Sequence, residues 1–242
     1  MIRLFHVSDL HFGREDRVAL DWFARAVAAE APDAVVMTGD LTQSARSREF
    51  AAATQWLEGL GVPVTVEVGN HDLPVLNPVA RMTMPYRRFL KLERLIERPL
   101  QIEGVAIVPL RTTARFQWRL NWAKGHVSRR HLAQAVSHLG TRPQGAVSLV
   151  TAHHPLVEAG TVMNARTRRG PEALAALARA GADAVLTGHV HDPFDIPYQL
   201  EGRTIRLIGA GTLSERLRSE PPSFNELRIE RGEIHTQIRR MT

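Results

Sequence analysis

The sequence predicts an α/β protein, and three observations carry that prediction. Short β-branched or continuously apolar runs alternate twice with stretches of helical period, the pattern of a parallel sheet with crossover helices. Each of these runs ends in a turn that carries Asp, Asn or His. After Ile196 the chain changes to period-two segments joined by Gly-centred turns, which read as antiparallel strands.

The elements follow in order. Ile2 to Val7 is the first strand, ending in Ser8-Asp9-Leu10-His11-Phe12-Gly13. Asp16 to Glu30 spaces Val18, Trp22, Phe23, Ala26 and Val27 as the core-facing stripe of a helix. Asp33 to Thr38 is a buried strand that runs into Gly39-Asp40. Ser44 to Leu60 is a second helix, with Ser44 as its cap and Phe50, Trp56, Leu57 and Leu60 on its apolar face. Val64 to Val68 is a strand that delivers Gly69-Asn70-His71-Asp72, where glycine lets the backbone turn sharply.

Leu73 to Leu100 breaks the rhythm. It holds Pro74, Pro78, Pro85 and Pro99, and a basic amphipathic segment in which Phe89, Leu92, Leu95 and Ile96 alternate with Arg87, Arg88, Lys91 and Arg94. The insertion, bounded at 73–125, reads as a lid, a dimer contact, a membrane-surface element or a solvated helix with one face on the core. Ile102 to Leu110 resumes as strand. Arg111 to Lys124 is loop, with Phe116, Trp118 and Trp122 among Arg111, Arg115 and Arg119, a mixture that suits base stacking or the anchoring of a long loop.

Ser128 to Leu139 is a helix capped by its serine, and Ala146 to Thr151 is a buried strand ending in Ala152-His153-His154-Pro155. Pro171 to Ala180 is a helix closed by Gly181, and Asp183 to Leu186 is a strand leading into Thr187-Gly188-His189-Val190-His191. Ile196 to Leu200, Thr204 to Ile208, Phe224 to Glu230 and Glu233 to Arg239 are the antiparallel strands.

At 242 residues, with 44% apolar and 23% charged side chains, the chain suits one ordered domain over 1–242. The absence of Cys excludes disulfides, thiolate metal sites and cysteine nucleophiles, and leaves His, Asp, Glu and Asn as ligands for a hard or borderline metal. The N-terminus enters a strand without a signal-peptide pattern, and no run nears the roughly 18 apolar residues of a spanning helix, so a cytoplasmic protein is expected. The net charge of +6 fits an anionic substrate or nucleic acid, and a genome favouring Arg codons gives the same balance.

Candidate chemistry gathers at strand ends. Asp9 and His11 are two apart, so in an extended segment both project to one side, and His189 and His191 repeat that spacing. Asp40, Asn70, His71 and His153 also lie just beyond the C-terminal ends of strands, where open α/β sheets bind ligands. Independent turns rarely supply a metal-binding residue type every time.

This ordered set, Asp9-x-His11, Gly39-Asp40, Gly69-Asn70-His71-Asp72, His153-His154-Pro155 and Gly188-His189-x-His191, resembles the calcineurin-like metallophosphoesterase superfamily across Asp9 to His191. The resemblance implies a four-layer α-β-β-α sandwich of two mixed β-sheets flanked by helices, with a small helical insertion, and a site for two metal ions. It implies Asp9, His11 and His191 on one metal, Asn70, His153 and His189 on the other, and Asp40 between them. His153 takes the ligand position because the family's ligand lies two before the Pro, which leaves His154 a supporting or core role. His71 would be the catalytic non-ligand beside the scissile phosphate, and Asn70 and His71 would meet the substrate. Iron or manganese is the family's usual choice, and mixed imidazole, carboxylate and amide donors also suit zinc or cobalt.

The chemistry can be argued apart from the family. Two metals roughly 3.5–4 Å apart clamp the oxygens of an in-line phosphoryl displacement and make hydroxide available near neutral pH. A departing alkoxide then needs a proton, which His71 is placed to give. The phrasing of the blocks is most similar to the small bacterial members related to class III cyclic-nucleotide phosphodiesterases, which implies cyclic nucleotides or related small phosphodiesters as substrates. Hydrolases of UDP-diacylglucosamine share the site but usually carry Arg where this chain has His71. Exonucleases usually add nucleic-acid-binding segments that are not seen here, so nucleic acid beyond nucleotides is not expected. Protein Ser/Thr phosphatases usually carry Asp where this chain has Gln43. A non-enzymatic scaffold is the remaining reading, and a homodimer is an open possibility.

Overall fold

The computed structural model describes residues 1–75, 77–97, 102–117 and 121–242. Pro99, Leu100, Trp118 and Arg119 of the sequence reading lie outside the described residues. Three parallel strands, β1 (Ile2–Val7), β2 (Ala34–Met37) and β3 (Val64–Val66), are linked by α1 (Arg17–Glu30) and α2 (Ser47–Gly59). Two short helices follow, α3 (Pro78–Thr83) and α4 (Arg87–Ile96). A second parallel set, β4 (Val105–Pro109), β5 (Val147–Thr151) and β6 (Ala184–Thr187), alternates with α5 (Arg129–Gly140) and α6 (Gly170–Arg179). The chain ends in β7 (Phe194–Leu200), β8 (Arg203–Gly209), β9 (Ser223–Glu230) and β10 (Glu233–Arg240).

These strands form two mixed five-stranded sheets, ordered β10-β9-β1-β2-β3 and β4-β5-β6-β8-β7. The C-terminal strands pair antiparallel across the two Gly-centred turns, as the sequence predicts. They are two hairpins divided between the sheets, and β8 runs parallel to β6 while pairing antiparallel with β7. A hairpin turn fixes pairing only within its hairpin. The partner on the far side is chosen by long-range packing, which local pattern does not encode.

Strand alternation builds three cores from the two sheets. Leu4 and Val36 face inward with Leu227 and Ile229, against Leu149, Leu186 and Ile208 of the other sheet. Their neighbours Phe5 and Val35 face outward and pack with Phe23 and Val27 of α1, Phe50 and Leu57 of α2, and Phe89 and Leu92 of α4. On the second sheet Val150 and Val185 face Leu139 of α5 and Leu174 and Leu177 of α6. The layers are therefore α-β-β-α, and full burial of each such side chain is worth roughly 1.5–3 kcal/mol.

Local expectations fail where packing decides. Asp16 caps α1, accepting from Val18 N at 2.9 Å and Ala19 N at 3.1 Å, but Val18 itself is 65% exposed and the buried stripe is Leu20, Phe23 and Val27. Ser44 does not cap α2, which starts at Ser47; the Glu49 carboxylate collects the Ser44 and Arg46 amides instead, at 2.8 and 3.2 Å. On α4, Phe89, Leu92 and Ile96 meet the core whereas Leu95 is 55% exposed, because three apolar positions already fill the face available. Ser128 caps α5 as expected, accepting from His131 N at 3.1 Å.

A polar contact joins β5 of one sheet to the residue that follows β3 of the other. Thr151 Oγ1 donates to Glu67 Oε1 at 2.9 Å, and burial pushes the Glu67 carboxyl up to about 8. An unfolded chain ionises this group near its ordinary value of 4.5, while the folded protein keeps the proton until about 8. The Glu67 contribution to stability is therefore present at acid pH and lost across that window, by roughly a few kcal/mol. Glu67→Gln keeps an acceptor for Thr151 and removes the titration. Its urea midpoint is expected to gain on the wild type between about pH 5 and about pH 9, and a gap that stays constant would mean that Glu67 is ionised in the fold.

Candidate metal centre

The candidate residues converge beyond the C-terminal ends of β1, β2, β3, β5 and β6, where the two sheets face each other. Their backbone differs from the extended form assumed from the sequence. Asp9 (φ 59°), His11 (47°), Asp40 (54°), His189 (70°) and His191 (62°) all lie in the left-handed region. Each such residue costs roughly 1–2 kcal/mol, so the turns must be held from outside. Asp9 N donates to Gly39 O and His11 N to Asp40 O, both at 3.0 Å, and Thr212 Oγ1 donates to Asp9 O at 2.6 Å. Gly188 N donates to His153 O at 2.9 Å.

Two carboxylates organise the cluster in the same way. Asp9 Oδ2 accepts from His189 N, and Asp40 Oδ1 accepts from His71 N, each at 2.8 Å. The second oxygen of each carboxylate is thereby aimed inward. Asp9 Oδ1 is buried and receives no hydrogen bond, although His191 Nε2 lies at 3.1 Å and His11 Nε2 at 3.5 Å. Asp40 Oδ2 sits 3.4 Å from His153 Nε2 and 3.8 Å from His11 Nε2, between two groups of donors.

The outer ring nitrogens fix what the inner ones can do. His153 Nδ1 is 2.8 Å from Thr38 O, His191 Nδ1 is 2.6 Å from Arg216 O, and His71 Nδ1 is 2.7 Å from Gln43 O. A carbonyl only accepts, so each Nδ1 carries the proton and a neutral ring turns the Nε2 lone pair inward. His191 Nε2 then faces His11 Nε2 at 3.2 Å, and His153 Nε2 faces Asn70 Oδ1 at 3.2 Å. Imidazole nitrogens, an amide oxygen and two carboxylates crowded together, with one Asp9 oxygen left without a hydrogen bond, are what a bound cation would satisfy. The residues present fit metal ions.

Electrostatics agree with that geometry. Burial opposes ionisation of Asp9 and Asp40, yet His191 and His153 respectively hold both carboxyls well below the usual range. Burial alone would lower His153, but Asp40 raises it to about 9. The cluster thus attracts positive charge. His154 is different: burial and His153 push it down to about 3, and its nitrogens are taken by Thr112 Oγ1 and Ala123 O, both at 2.8 Å. Its ring lies 4.4 Å from that of His189, tilted by 51°, and although it stands close enough to join His153 and His189 around an ion, both its nitrogens are already hydrogen-bonded.

All seven residues expected to ligate are brought together, with His71 at the edge, its ring 4.8 Å from that of His11. Sequence reasoning missed two others. Asp72 gathers Gly69 N, Thr42 N and Thr42 Oγ1 at 2.9–3.0 Å and so ties the β2 and β3 turns together. Burial and Asp40 raise its carboxyl to about 7. Arg216 enters from the segment after β8, with Nη1 2.9 Å from His71 Nε2. Its signal was the strand-end rule itself, which reaches this segment once β8 is recognised as parallel to β6.

The fold and the clustered donors define a class, the metallophosphoesterases. More particularly, the profile of the calcineurin-like phosphoesterase family matches residues 2–193, so the chain belongs to that family and is a hydrolase. A protein of Synechococcus sp. named a probable cyclic nucleotide phosphodiesterase is 27% identical over 210 residues, 80% of this chain and 74% of that protein. A dimetal phosphatase from Danio rerio shares the fold with a TM-score of 0.68 at 13% identity, over 97% of this chain and 98% of its own. A purple acid phosphatase from yellow lupin seeds does so with a TM-score of 0.70 at 13% identity, over 99% of this chain and 51% of that one. No helix among the described residues is long and apolar enough to cross a membrane.

The packing of Gly69 gives a test of the centre that alters no donor atom. A Cβ there would lie 2.0 Å from Asp40 Oδ1 and 2.1 Å from Asp40 N. Wild-type protein dialysed against Mn²⁺ is expected to retain two ions per chain by elemental analysis and to gain thermal stability. Gly69→Ala should lose both effects as fully as Asp40→Ala does. Full retention of two ions in Asp40→Ala would remove that carboxylate from the centre.

Proposed function

We propose that the protein is a dinuclear-metal phosphodiesterase acting on 3′,5′-cyclic nucleotides or related small phosphodiesters. The observation that carries this reading is Asp40 Oδ2, poised between His11 Nε2 and His153 Nε2 as a bridge between two metal positions would be. On this reading Asp9, His11 and His191 hold one ion, and Asn70, His153 and His189 the other. Manganese or iron suits this donor set best, with zinc or cobalt as further candidates. When bound, the pair supplies a nucleophilic hydroxide near neutral pH and neutralises charge on the phosphoryl oxygens. The name of the Synechococcus relative supports the cyclic-nucleotide assignment.

The chain's own part is positioning and proton handling. With its Nδ1 proton committed to Gln43 O, His71 presents Nε2 to the substrate side, where that atom takes up a proton from solvent and, as the imidazolium, gives it to the departing alkoxide and returns to the neutral ring. Asn70 lies beside it, its Oδ1 on His153. Within the expected insertion 73–125, β4 is instead a strand of the second sheet, and α3 and the start of α4 are tied to the segment after it by Arg81 donating to Ala114 O and Arg115 O and by Tyr86 Oη donating to Thr113 O at 3.1 Å.

A second reading has one specific observation behind it. Val79, Met82, Met84 and Leu95 are exposed on α3 and α4 and in the turn between them, beside Arg87, Lys91 and Arg94, a surface that would suit an acylated nucleotide diphosphate.

Initial rates of the Mn²⁺-loaded protein on bis(p-nitrophenyl) phosphate, p-nitrophenyl phosphate, 3′,5′-cyclic AMP and a UDP-diacylglucosamine separate these readings, with Asp40→Ala as control. Diester and cyclic AMP turnover that vanishes in the control is the expected result, and turnover of the lipid substrate alone would select the second reading. His71→Ala is expected to lower kcat on an alkyl diester by roughly 100-fold or more. An unchanged rate would remove His71 from proton transfer.

A further inference from the structure

We infer that Arg216 is a substrate-binding residue, the cation that receives a non-bridging phosphoryl oxygen at the rim of the metal centre. The inference rests on the phosphoesterase reading and adds to it a subsite built from Arg216, His71 and Gln43.

Arg216 leaves β8's sheet on the segment that carries the chain across to β9. Its backbone and side chain act separately. The carbonyl fixes His191 Nδ1 at 2.6 Å, which places the guanidinium beside the cluster. Nη1 then donates to His71 Nε2 at 2.9 Å and stands 3.4 Å from Gln43 Oε1 and from both ring nitrogens of His11.

None of these neighbours is an anion. The two carboxylates of the centre are committed, Asp9 to His189 N with its free oxygen toward His11 and His191, and Asp40 to His71 N with its free oxygen toward His11 and His153. Among the described residues no ion pair includes Arg216, whereas Arg3, Arg179, Arg206, Arg228, Arg239 and Arg240 each meet a carboxylate. A half-buried guanidinium resting on neutral acceptors lacks its counter-charge, and its planar fork matches a phosphoryl group better than any partner it has here.

The position also selects a phosphoryl anion over a bare metal cluster. Cations held by His11 and its neighbours would repel Arg216 at this distance, and an anionic oxygen between them converts that repulsion into attraction on both sides. When the oxygen arrives, Nη1 turns from His71 Nε2 to it, and the freed Nε2 lone pair takes up a proton from solvent, which it then gives to the departing alkoxide. One residue thereby links substrate arrival to exposure of the proton-handling atom.

The test uses Mn²⁺-loaded full-length protein as wild type, Arg216→Lys and Arg216→Ala, whose backbone carbonyl to His191 is retained. Three quantities are measured: metal content with thermal midpoint, the Kd of inorganic phosphate by calorimetry, and KM and kcat on bis(p-nitrophenyl) phosphate. Arg216→Ala is expected to keep two metals and its midpoint, to weaken phosphate binding and raise KM by at least about tenfold, and to regain affinity when guanidinium chloride is added. Arg216→Lys should recover part of the affinity, because it restores charge without the fork. Unchanged phosphate affinity and KM in Arg216→Ala would overturn the inference. So would loss of a metal ion from that variant, which would make Arg216 a support for His191 and His11. If wild type with two metals neither binds phosphate nor cleaves any ester, the phosphoesterase reading itself fails, an outcome visible before any variant is compared.

Discussion

The structure depends on how two carboxylates divide their oxygens. Asp9 Oδ2 accepts from His189 N, a bond between residues 180 apart that ties the end of β1 in one sheet to the turn after β6 in the other. Asp40 Oδ1 does the same for His71 N across the turns after β2 and β3. Each bond consumes one lone-pair direction and leaves the second oxygen pointing at imidazole nitrogens. Positioning of the sheets and presentation of donor atoms are therefore one interaction. A group that fixes the fold here cannot be changed without changing the centre.

That coupling explains why strain accumulates at this place. Five of the candidate donors sit at positive φ, where a side chain meets its own backbone, and the surrounding bonds over-determine the conformation. Glycine is required where chains approach closest. A Cβ on Gly188 would come within 1.8 Å of Ser8 Oγ and 2.5 Å of Asp9 Oδ2, so the turn after β6 can reach Asp9 only without one. The crowding of ring nitrogens and carboxylates opposes folding in the same way, although Asp40 offsets part of it by raising the buried His153 ring to about 9. Stability is spent here on geometry that only a ligand fully satisfies.

The sequence made the strand ends legible because each carried its own local signal, an apolar run followed by Asp, Asn or His. β1 matched to the residue, and the Asp and His side chains of the five turns lie close together in the structure. What stayed hidden depended on partners remote in sequence. Val18 and Leu95 fit helical spacing but fall outside the faces that the sheet can cover. Glu49 displaced Ser44 at the start of α2 because its carboxylate reaches two amides at once. Asp72 sat inside a recognised motif, yet its role appears only when the turns of β2 and β3 are adjacent. Arg216 was invisible for a topological reason: the turn at 201–203 marks β8 as an antiparallel strand, and only its remote pairing with β6 makes the segment after it the end of a parallel strand.

The net charge of +6 illustrates the limit of a global argument. It was compatible with an anionic substrate, with nucleic acid or with codon bias, and the fold shows why a sum cannot choose. Some arginines pair locally and drop out of the sum, as in Arg239 with Glu30 and Glu226, Arg206 with Asp195, and Arg240 with Glu220, while others stand on exposed surface. Charges on those surfaces are screened within roughly 8–10 Å at ordinary ionic strength. A phosphoryl oxygen at the centre would instead meet the one guanidinium whose neighbours there are neutral acceptors, at contact distance and half-buried, where Coulomb interactions are least attenuated. Affinity for an anion is then set by where a single arginine stands, and two chains of equal net charge can differ in it completely.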